Sequence, residues 1–149
     1  MDIHVLNREM AGKYVPDKPE ILIGILNSKP PENVPVNVVP SNFRLAYLTY
    51  VVDDIDEKFE DYILISRDTA SRIVDDFLRY RDRIEGFAVH CLAGLSRSPA
   101  VAVALNECFS LGHEQREFFS EYYTVNYAVY LAIHSAWRER KKAGNRESW

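Results

Sequence analysis

Short apolar runs, separated by polar or proline-rich stretches, mark the first part of the chain. Residues 3–6 alternate weakly between apolar and polar and predict an edge strand, and residues 8–14 predict a short helix that ends at a glycine. Residues 21–26 are almost continuously apolar and predict a buried strand. Residues 43–52 predict another strand. Four prolines fall within residues 28–41, so we expect an irregular connection between these two strands.

Apolar residues recur at helical spacing after Ser66. This serine is therefore the predicted N-cap of a helix. The apolar side chains that follow are spaced as on one face of a helix, and they predict an amphipathic helix up to about residue 83. They are Ala70, Ile73, Val74, Phe77 and Leu78. Residues 87–89 then predict a short buried strand.

The last part of the chain is dominated by helical patterns. Residues 99–111 are apolar on most faces, as a central buried helix would be, with Gly112 as the predicted C-cap. Residues 114–123 and 127–142 predict two further helices. Early strands, then a helix, a strand and more helices predict an α/β domain. Its central, mostly parallel sheet should have about four to five strands flanked by helices.

Length and composition predict one globular domain. A chain of 149 residues, of which 47% are hydrophobic, is long enough to bury a substantial core. We therefore predict a single domain over residues 1–149, in which residues from about 138 to 149 form a basic, frayed C-terminal tail. The net charge of −4 argues against a nucleic-acid partner or an anionic membrane surface.

The polar residues near the N-terminus and the small number of cysteines indicate in which cellular compartment the protein lies. Asp2, His4 and Arg8 interrupt the first apolar residues, which argues against a signal peptide or a membrane span. The two cysteines, Cys91 and Cys108, are too few for a disulfide framework and fit a reducing environment. We expect a cytoplasmic protein. Most histidines are scattered without metal-ligand spacing, so no metal site is expected.

The stretch 89–99 carries the candidate chemistry. Pro99, as the first residue of the predicted helix, would lose no hydrogen bond, so the loop leads into a helix N-terminus that attracts anions. Gly94 allows the backbone to turn with its amides inward. Arg97 adds a planar fork of donors that matches two phosphate oxygens. Cys91 lies at the base of this cradle, where its surroundings favour a thiolate nucleophile aimed at a bound phosphorus atom.

A cysteine nucleophile that attacks a phosphate ester needs a second group. The leaving oxygen must receive a proton, which a carboxylic acid from elsewhere in the chain can supply. The acidic segment after the predicted strand 43–52 is the natural source. From the residues alone, Asp53, Asp54 and Asp56 are all candidates, with Asp61 further along the same segment.

The order His90-Cys91-x-Ala93-Gly94-x-Ser96-Arg97-Ser98 resembles the signature of the cysteine-dependent protein tyrosine phosphatases, and most closely their small dual-specificity branch. The resemblance covers about residues 44–111. It implies a protein tyrosine phosphatase-like fold, hydrolysis of phosphomonoesters through a phospho-cysteine, and no metal or other cofactor. The implied catalytic residues are Cys91, Asp54, Arg97 and Ser98. The implied phosphate-binding residues are Leu92, Ala93, Gly94, Leu95, Ser96 and Arg97.

The sequence also predicts roles for four other residues. Ser98 can cap the following helix, and the resemblance also implies that its hydroxyl stabilises the departing thiolate. His90 is expected to support the site by donating hydrogen bonds that fix the loop. Asn126 falls where related phosphatases often have a Pro-Asn pair that braces the loop, although here Val125 precedes it. Cys108 is expected to be a core residue.

The resemblance implies a phosphoprotein substrate that carries phosphotyrosine and also phosphoserine or phosphothreonine. RNA 5′-triphosphatases and phosphoinositide phosphatases of the same superfamily are alternatives, as is a phosphate-binding pseudophosphatase without turnover. The variable loop positions Leu92 and Leu95 are apolar and the loop has no lysine, which argues against phosphoinositides. The acidic net charge argues against RNA.

Overall fold

A single parallel sheet forms the centre of the fold. The computed structural model describes residues 1–119 and 124–147. The strands are β1 (Asp2–Asn7), β2 (Glu20–Leu26), β3 (Arg44–Val51) and β4 (Gly86–Cys91). They lie in the order β1-β4-β2-β3, and every neighbouring pair is parallel. The predicted α/β fold with a central parallel sheet is confirmed, with four strands.

Helices cover both faces of this sheet. They are α1 (Arg8–Lys13), α2 (Arg67–Tyr80), α3 (Arg97–Phe109) and α4 (Tyr127–Glu147). Helix α2 begins as predicted, because the Ser66 hydroxyl accepts a hydrogen bond from the Thr69 amide at 3.0 Å. In the described residues, no helix is long and apolar enough to cross a lipid bilayer.

The alternation of side chains along β4 divides the interior in two. Phe87, Val89 and Cys91 face the larger core, which α2, α3 and α4 also line. Ala88 joins a smaller core on the other side, beside α1. Strand β2 is buried along its whole length, which explains its nearly continuous apolar sequence.

Helix α3 departs from its predicted limits. It begins at Arg97, so Pro99 is its third residue and not its first. All amides in the first turn of a helix lack intrahelical partners, so proline is tolerated there too. Ser96 occupies the N-cap position, and Ser98 therefore does not cap the helix. The C-cap is Ser110, in the left-handed region at φ 52°, and not Gly112.

Two other predicted segments also differ. Within the predicted helix 114–123, the structure has only a 3₁₀ turn, Gln115–Glu117, and residues 120–123 lie outside the described residues. The segment from about 138, expected to be a frayed tail, instead continues α4 as far as Glu147. Residues 148–149 lie outside the described part of the chain.

The direction of the strands determines where polar side chains meet. Because all four strands run parallel, their carboxyl ends lie at one edge of the sheet. Strand β2 ends before Asn27, β3 ends before the acidic segment, and β4 ends at Cys91. These three segments surround one pocket.

Candidate active site

The Cys91 sulfur is the centre of the site. It is buried, and its Sγ accepts hydrogen bonds from the Gly94 amide at 3.2 Å and the Ser98 amide at 3.4 Å. The Ser98 hydroxyl lies 3.2 Å from the same sulfur. Donors at these distances stabilise a negative charge on sulfur. Cys91 and Ser98 are thus brought together as the sequence predicted.

The loop conformation depends on Gly94. Its φ is +73°, in the left-handed region that favours glycine. A Cβ at this position would lie 2.8 Å from the Asn7 nitrogen and 2.9 Å from the Leu6 carbonyl carbon. Any side chain would therefore press against the backbone at the end of β1. Close packing and backbone geometry both require glycine here.

The backbone of the loop turns its carbonyl groups outward and leaves its amides free. The Leu92 carbonyl accepts a hydrogen bond from the Arg8 amide at 3.1 Å, and the Leu95 carbonyl accepts one from the Thr124 amide at 2.8 Å. Among the described residues, several loop amides donate no hydrogen bond to any protein group. They belong to residues 92, 93, 95, 96 and 97. A run of free amides at a helix N-terminus forms an anion-binding nest.

Arg97 is fixed on one side and unpaired on the other. Its Nη1 donates to the Asn27 Oδ1 and to the Val52 carbonyl, both at 2.7 Å. The residue is only 4% exposed, yet in the part of the chain that the structure describes its buried Nε has no partner. Buried polar atoms are normally satisfied, so this unpaired donor indicates a position suited to binding an anion. An arginine edge with free donors matches two oxygens of a phosphate.

A pocket of about 420 Å³ opens above these groups. The loop after β4 forms one wall, and the segment after β3 forms the opposite wall. Aromatic side chains complete the rim. The lining residues are Asn27, Asp53, Asp54, Ile55, Phe59, Tyr62, Cys91, Leu92, Ala93, Ser96 and Arg97.

Asp54 presents a carboxylate to this pocket. One oxygen, Oδ1, accepts hydrogen bonds from the Ser96 hydroxyl at 2.8 Å and the Asn126 side-chain amide at 2.9 Å. The residue is otherwise exposed, and within the described chain its Oδ2 accepts no hydrogen bond. The carboxyl group is thus oriented by one oxygen while the other remains available for a proton.

The neighbouring Asp53 has a structural role. Its buried carboxylate accepts hydrogen bonds from the Ser28 amide at 2.9 Å, the Ser28 hydroxyl and the Ile63 amide at 2.8 Å. Burial by itself would raise the pKa of Asp53, but these donors outweigh burial and hold the pKa below its usual value. A carboxylate held in its ionised form is a poor proton donor.

The two remaining carboxylates lie away from the sulfur. Asp56 is exposed and does not line the pocket above Cys91. Asp61 forms an ion pair with Lys29 at 2.7 Å and does not line that pocket either. Of the four candidates, Asp54 therefore has the geometry that best suits a general acid.

Asp53→Ala is expected to lower the free energy of unfolding at neutral pH by about 3 kcal/mol, because hydrogen bonds to a charged acceptor are among the stronger ones. The folded-state pKa lies below the unfolded value of 3.8. The stabilisation of the fold by the ionised Asp53 carboxylate is therefore complete above about pH 4 and is lost as the pH falls through the folded-state pKa. Urea denaturation across pH should show the difference between wild type and variant shrinking in acid.

Asp56→Ala is the matched control for that measurement. Asp56 is exposed and, in the described residues, accepts no hydrogen bond, so the change should stay within about 0.5 kcal/mol at every pH. Equal losses in the two variants would contradict the structural role of Asp53.

Two asparagines complete the site. Asn126 donates to Asp54 and to the Ile55 carbonyl at 3.1 Å, and its Oδ1 accepts from the Val129 amide as the cap of α4. It therefore braces the acidic segment, although its sequence context gave only a weak indication. Asn27, which holds Arg97, was not predicted. The only signal was a polar residue immediately after a buried strand.

His90 lies on the opposite face of β4 from Cys91. Its Nε2 forms a hydrogen bond with the Tyr47 hydroxyl at 2.7 Å, and its Nδ1 has no partner among the described residues. This hydrogen bond crosses the sheet, and the predicted role of His90 in fixing the loop stays a prediction. Burial, with the nearby Arg8 charge, lowers the pKa of His90 to about 4, so the ring is neutral at physiological pH. Gly24 makes room for this ring, since a Cβ there would lie 2.6 Å from Nε2.

In comparisons with known proteins, no family model matches the chain, and no curated protein matches it either. Among the described residues, no group of three or more His, Cys, Asp or Glu side chains is arranged to hold a metal ion. The function is therefore inferred from the chemistry of the site itself.

Proposed function

We propose that this protein is a phosphomonoester hydrolase that acts on phosphoproteins through a phospho-cysteine intermediate and without a metal. It would belong with the small dual-specificity branch of the cysteine-dependent protein tyrosine phosphatases. One observation carries the proposal. The hydrogen-bonded Cys91 sulfur shares a pocket with the unpaired, buried Nε of Arg97 and with the carboxylate of Asp54. A catalytic thiolate is maintained in a reducing compartment, so we propose a cytoplasmic location.

The first step transfers the phosphoryl group to sulfur. The substrate phosphate binds to the free loop amides and to the open edge of Arg97, with its phosphorus atom above Cys91. The thiolate attacks, an S–P bond forms, and the bond from phosphorus to the substrate oxygen breaks. Asp54 gives its proton to that oxygen, so that the alcohol or phenol leaves uncharged.

The second step releases phosphate. Water attacks the phospho-cysteine while the Asp54 carboxylate accepts its proton, and the S–P bond breaks. The departing thiolate regains its hydrogen bonds from the amides of Gly94 and Ser98. The Ser98 hydroxyl, 3.2 Å from the sulfur, adds a third donor.

The rim of the pocket supports phosphotyrosine as one substrate. Phe59 and Tyr62 stack with ring centroids 5.9 Å apart, and both line the pocket. Lys29 lies 4.9 Å above the Tyr62 ring and pairs with Asp61, which braces this wall. Aromatic walls suit an aryl phosphate. The pocket is open at its mouth, which suits phosphoserine and phosphothreonine as well.

Asp54→Asn is expected to lower kcat toward a phosphotyrosine peptide by about 100-fold, because general acid catalysis is lost. Turnover of phosphopeptides and of an aryl phosphate with a good leaving group, measured with EDTA, tests this expectation. The loss should be smaller for the good leaving group.

Asp56→Asn serves as the control, since its carboxylate is outside the phosphate pocket. If Asp56→Asn lowers kcat by about 100-fold and Asp54→Asn does not, the acid is misassigned and the proposed hydrolase activity remains. If wild type binds phosphopeptide but turns over no substrate, the protein is a phosphate-binding pseudophosphatase.

A further inference from the structure

A second pocket adjoins the one above Cys91. It measures about 710 Å³ and shares Asp54, Ile55, Phe59 and Ser96 with the phosphate pocket. A substrate whose phosphate binds beside Arg97 therefore has its neighbouring residues at the entrance to this second space. The buried, unpaired Nε of Arg97 indicates where the phosphate end lies.

The second pocket has an uncompensated negative charge. Asp56 and Glu57 line it, and no lysine or arginine is among its described lining residues. Neither carboxylate forms an ion pair or a hydrogen bond with another described residue. Lys58, the next residue along, turns away and donates to the Tyr62 carbonyl at 2.7 Å.

Its other walls are aromatic and apolar. Phe59 and Tyr127 are 54% and 57% exposed, and both line this pocket together with Phe119 and Val125. The Phe119 and Tyr127 rings lie 6.3 Å apart. Arginine and lysine side chains combine an apolar stem with a cationic head, and guanidinium groups also stack on aromatic rings. Carboxylates beside exposed rings are the surroundings that suit them.

We propose that this second pocket selects phosphoprotein substrates that carry an arginine or lysine next to the phosphorylated residue. The inference rests on the proposed function, because the phosphate must be anchored above Cys91. Residues 53–61 carry six carboxylates and one lysine, and this segment overhangs a site that has to admit a dianionic phosphate. A cation on the substrate offsets the repulsion.

Phosphotyrosine peptides of one sequence, with arginine, alanine or glutamate at the positions on either side of the phosphotyrosine, test this selection. We expect kcat/KM to decrease from arginine to alanine to glutamate. The difference between the two extremes should be about tenfold, the sum of two exposed charge contacts and one cation–aromatic contact. The preference should weaken as the ionic strength is raised.

Glu57→Lys leaves the unpaired Asp56 carboxylate opposite one new ammonium, so the preference should be lost and kcat/KM for the arginine and glutamate peptides should become nearly equal. Turnover of a small aryl phosphate, which does not reach Glu57, should stay unchanged and so report an intact catalytic site. Glu60→Lys is the matched control, because Glu60 is exposed on the same segment and does not line the pocket.

Three results would each contradict a different proposal: the substrate selection, its assignment to this pocket, or the proposed function. Equal kcat/KM for the three peptides, in a wild type that hydrolyses the aryl phosphate, overturns the selection and leaves the proposed function standing. An equal loss of the preference in Glu60→Lys overturns the assignment to this pocket, because the overall negative charge of the segment would then be responsible. No hydrolysis of the aryl phosphate overturns the proposed function itself.

Discussion

Cys91→Ser is expected to lower turnover of an aryl phosphate by about 10⁵-fold or more, while the protein remains folded and binds inorganic phosphate. Serine has nearly the same size, so the loop amides and Arg97 keep their positions. Its hydroxyl does not ionise at neutral pH and is a weak nucleophile in a site without an adjacent base. Steady-state turnover and phosphate binding by calorimetry, measured on the same preparation, separate loss of chemistry from loss of structure.

Cys108→Ser is the control for the nucleophile. Burial and the charge of Glu107 raise the pKa of Cys108 to about 11, so it remains an unreactive thiol. Its sulfur lies 3.6 Å from His134, away from the pocket. Turnover should therefore stay close to that of wild type. Substantial activity in Cys91→Ser would mean that the sulfur is not the nucleophile.

Arg97→Lys is expected to lower kcat/KM by about 10³-fold. The guanidinium reaches Asn27 and the Val52 carbonyl with one nitrogen and still has an open edge for phosphate. A lysine ammonium is a single point of charge and does not fill both roles. Kinetics with an aryl phosphate and binding of inorganic phosphate should both be impaired.

Arg79→Lys tests whether that loss is specific. Arg79 is exposed on α2 and, within the described residues, pairs with Asp76 at 3.4 Å. Its replacement should leave kcat/KM within about twofold of wild type, as is usual for surface substitutions. A loss of less than tenfold in Arg97→Lys would contradict the phosphate-binding role of this arginine.

The sequence predicted the two central strands, β2 and β4, because both are buried on both faces. Strand β2 is buried at every position, so its apolar run needed no periodicity to be recognised. Gly94 was likewise predictable, because a positive φ combined with close packing against the β1 backbone favours glycine.

The ends of the helices were predicted less well, for local reasons. Pro99 is compatible with any position in the first helical turn, so it did not define where α3 begins. Ser110 adopts the left-handed cap although Gly112, at φ 94°, is only two residues away. Propensity favours glycine at such a cap without requiring it.

Which acidic residue best suits the role of general acid depends on the direction of its side chain. The side chains of adjacent residues point in different directions, so the sequence left the alternatives open. Asp53 and Asp54 follow the same strand, yet one is buried under the Ser28 donors and the other faces the pocket. Asn27 and Asn126 contact residues 70 and 72 positions away in the chain, respectively. No local pattern encodes contacts of that range, so only the folded structure revealed them.

The hydrogen bonds that hold Asp54 have a consequence for the timing of catalysis. Ser96 and Asn126 hold this carboxylate at the pocket wall by two hydrogen bonds. In many enzymes a loop closes to bring the general acid into place, and that movement then limits the rate of turnover. For Asp54, the proposed acid, these hydrogen bonds make such a movement unnecessary. We therefore expect the rate of turnover not to depend on solvent viscosity through any step before the chemistry. The making and breaking of bonds at phosphorus should limit that rate.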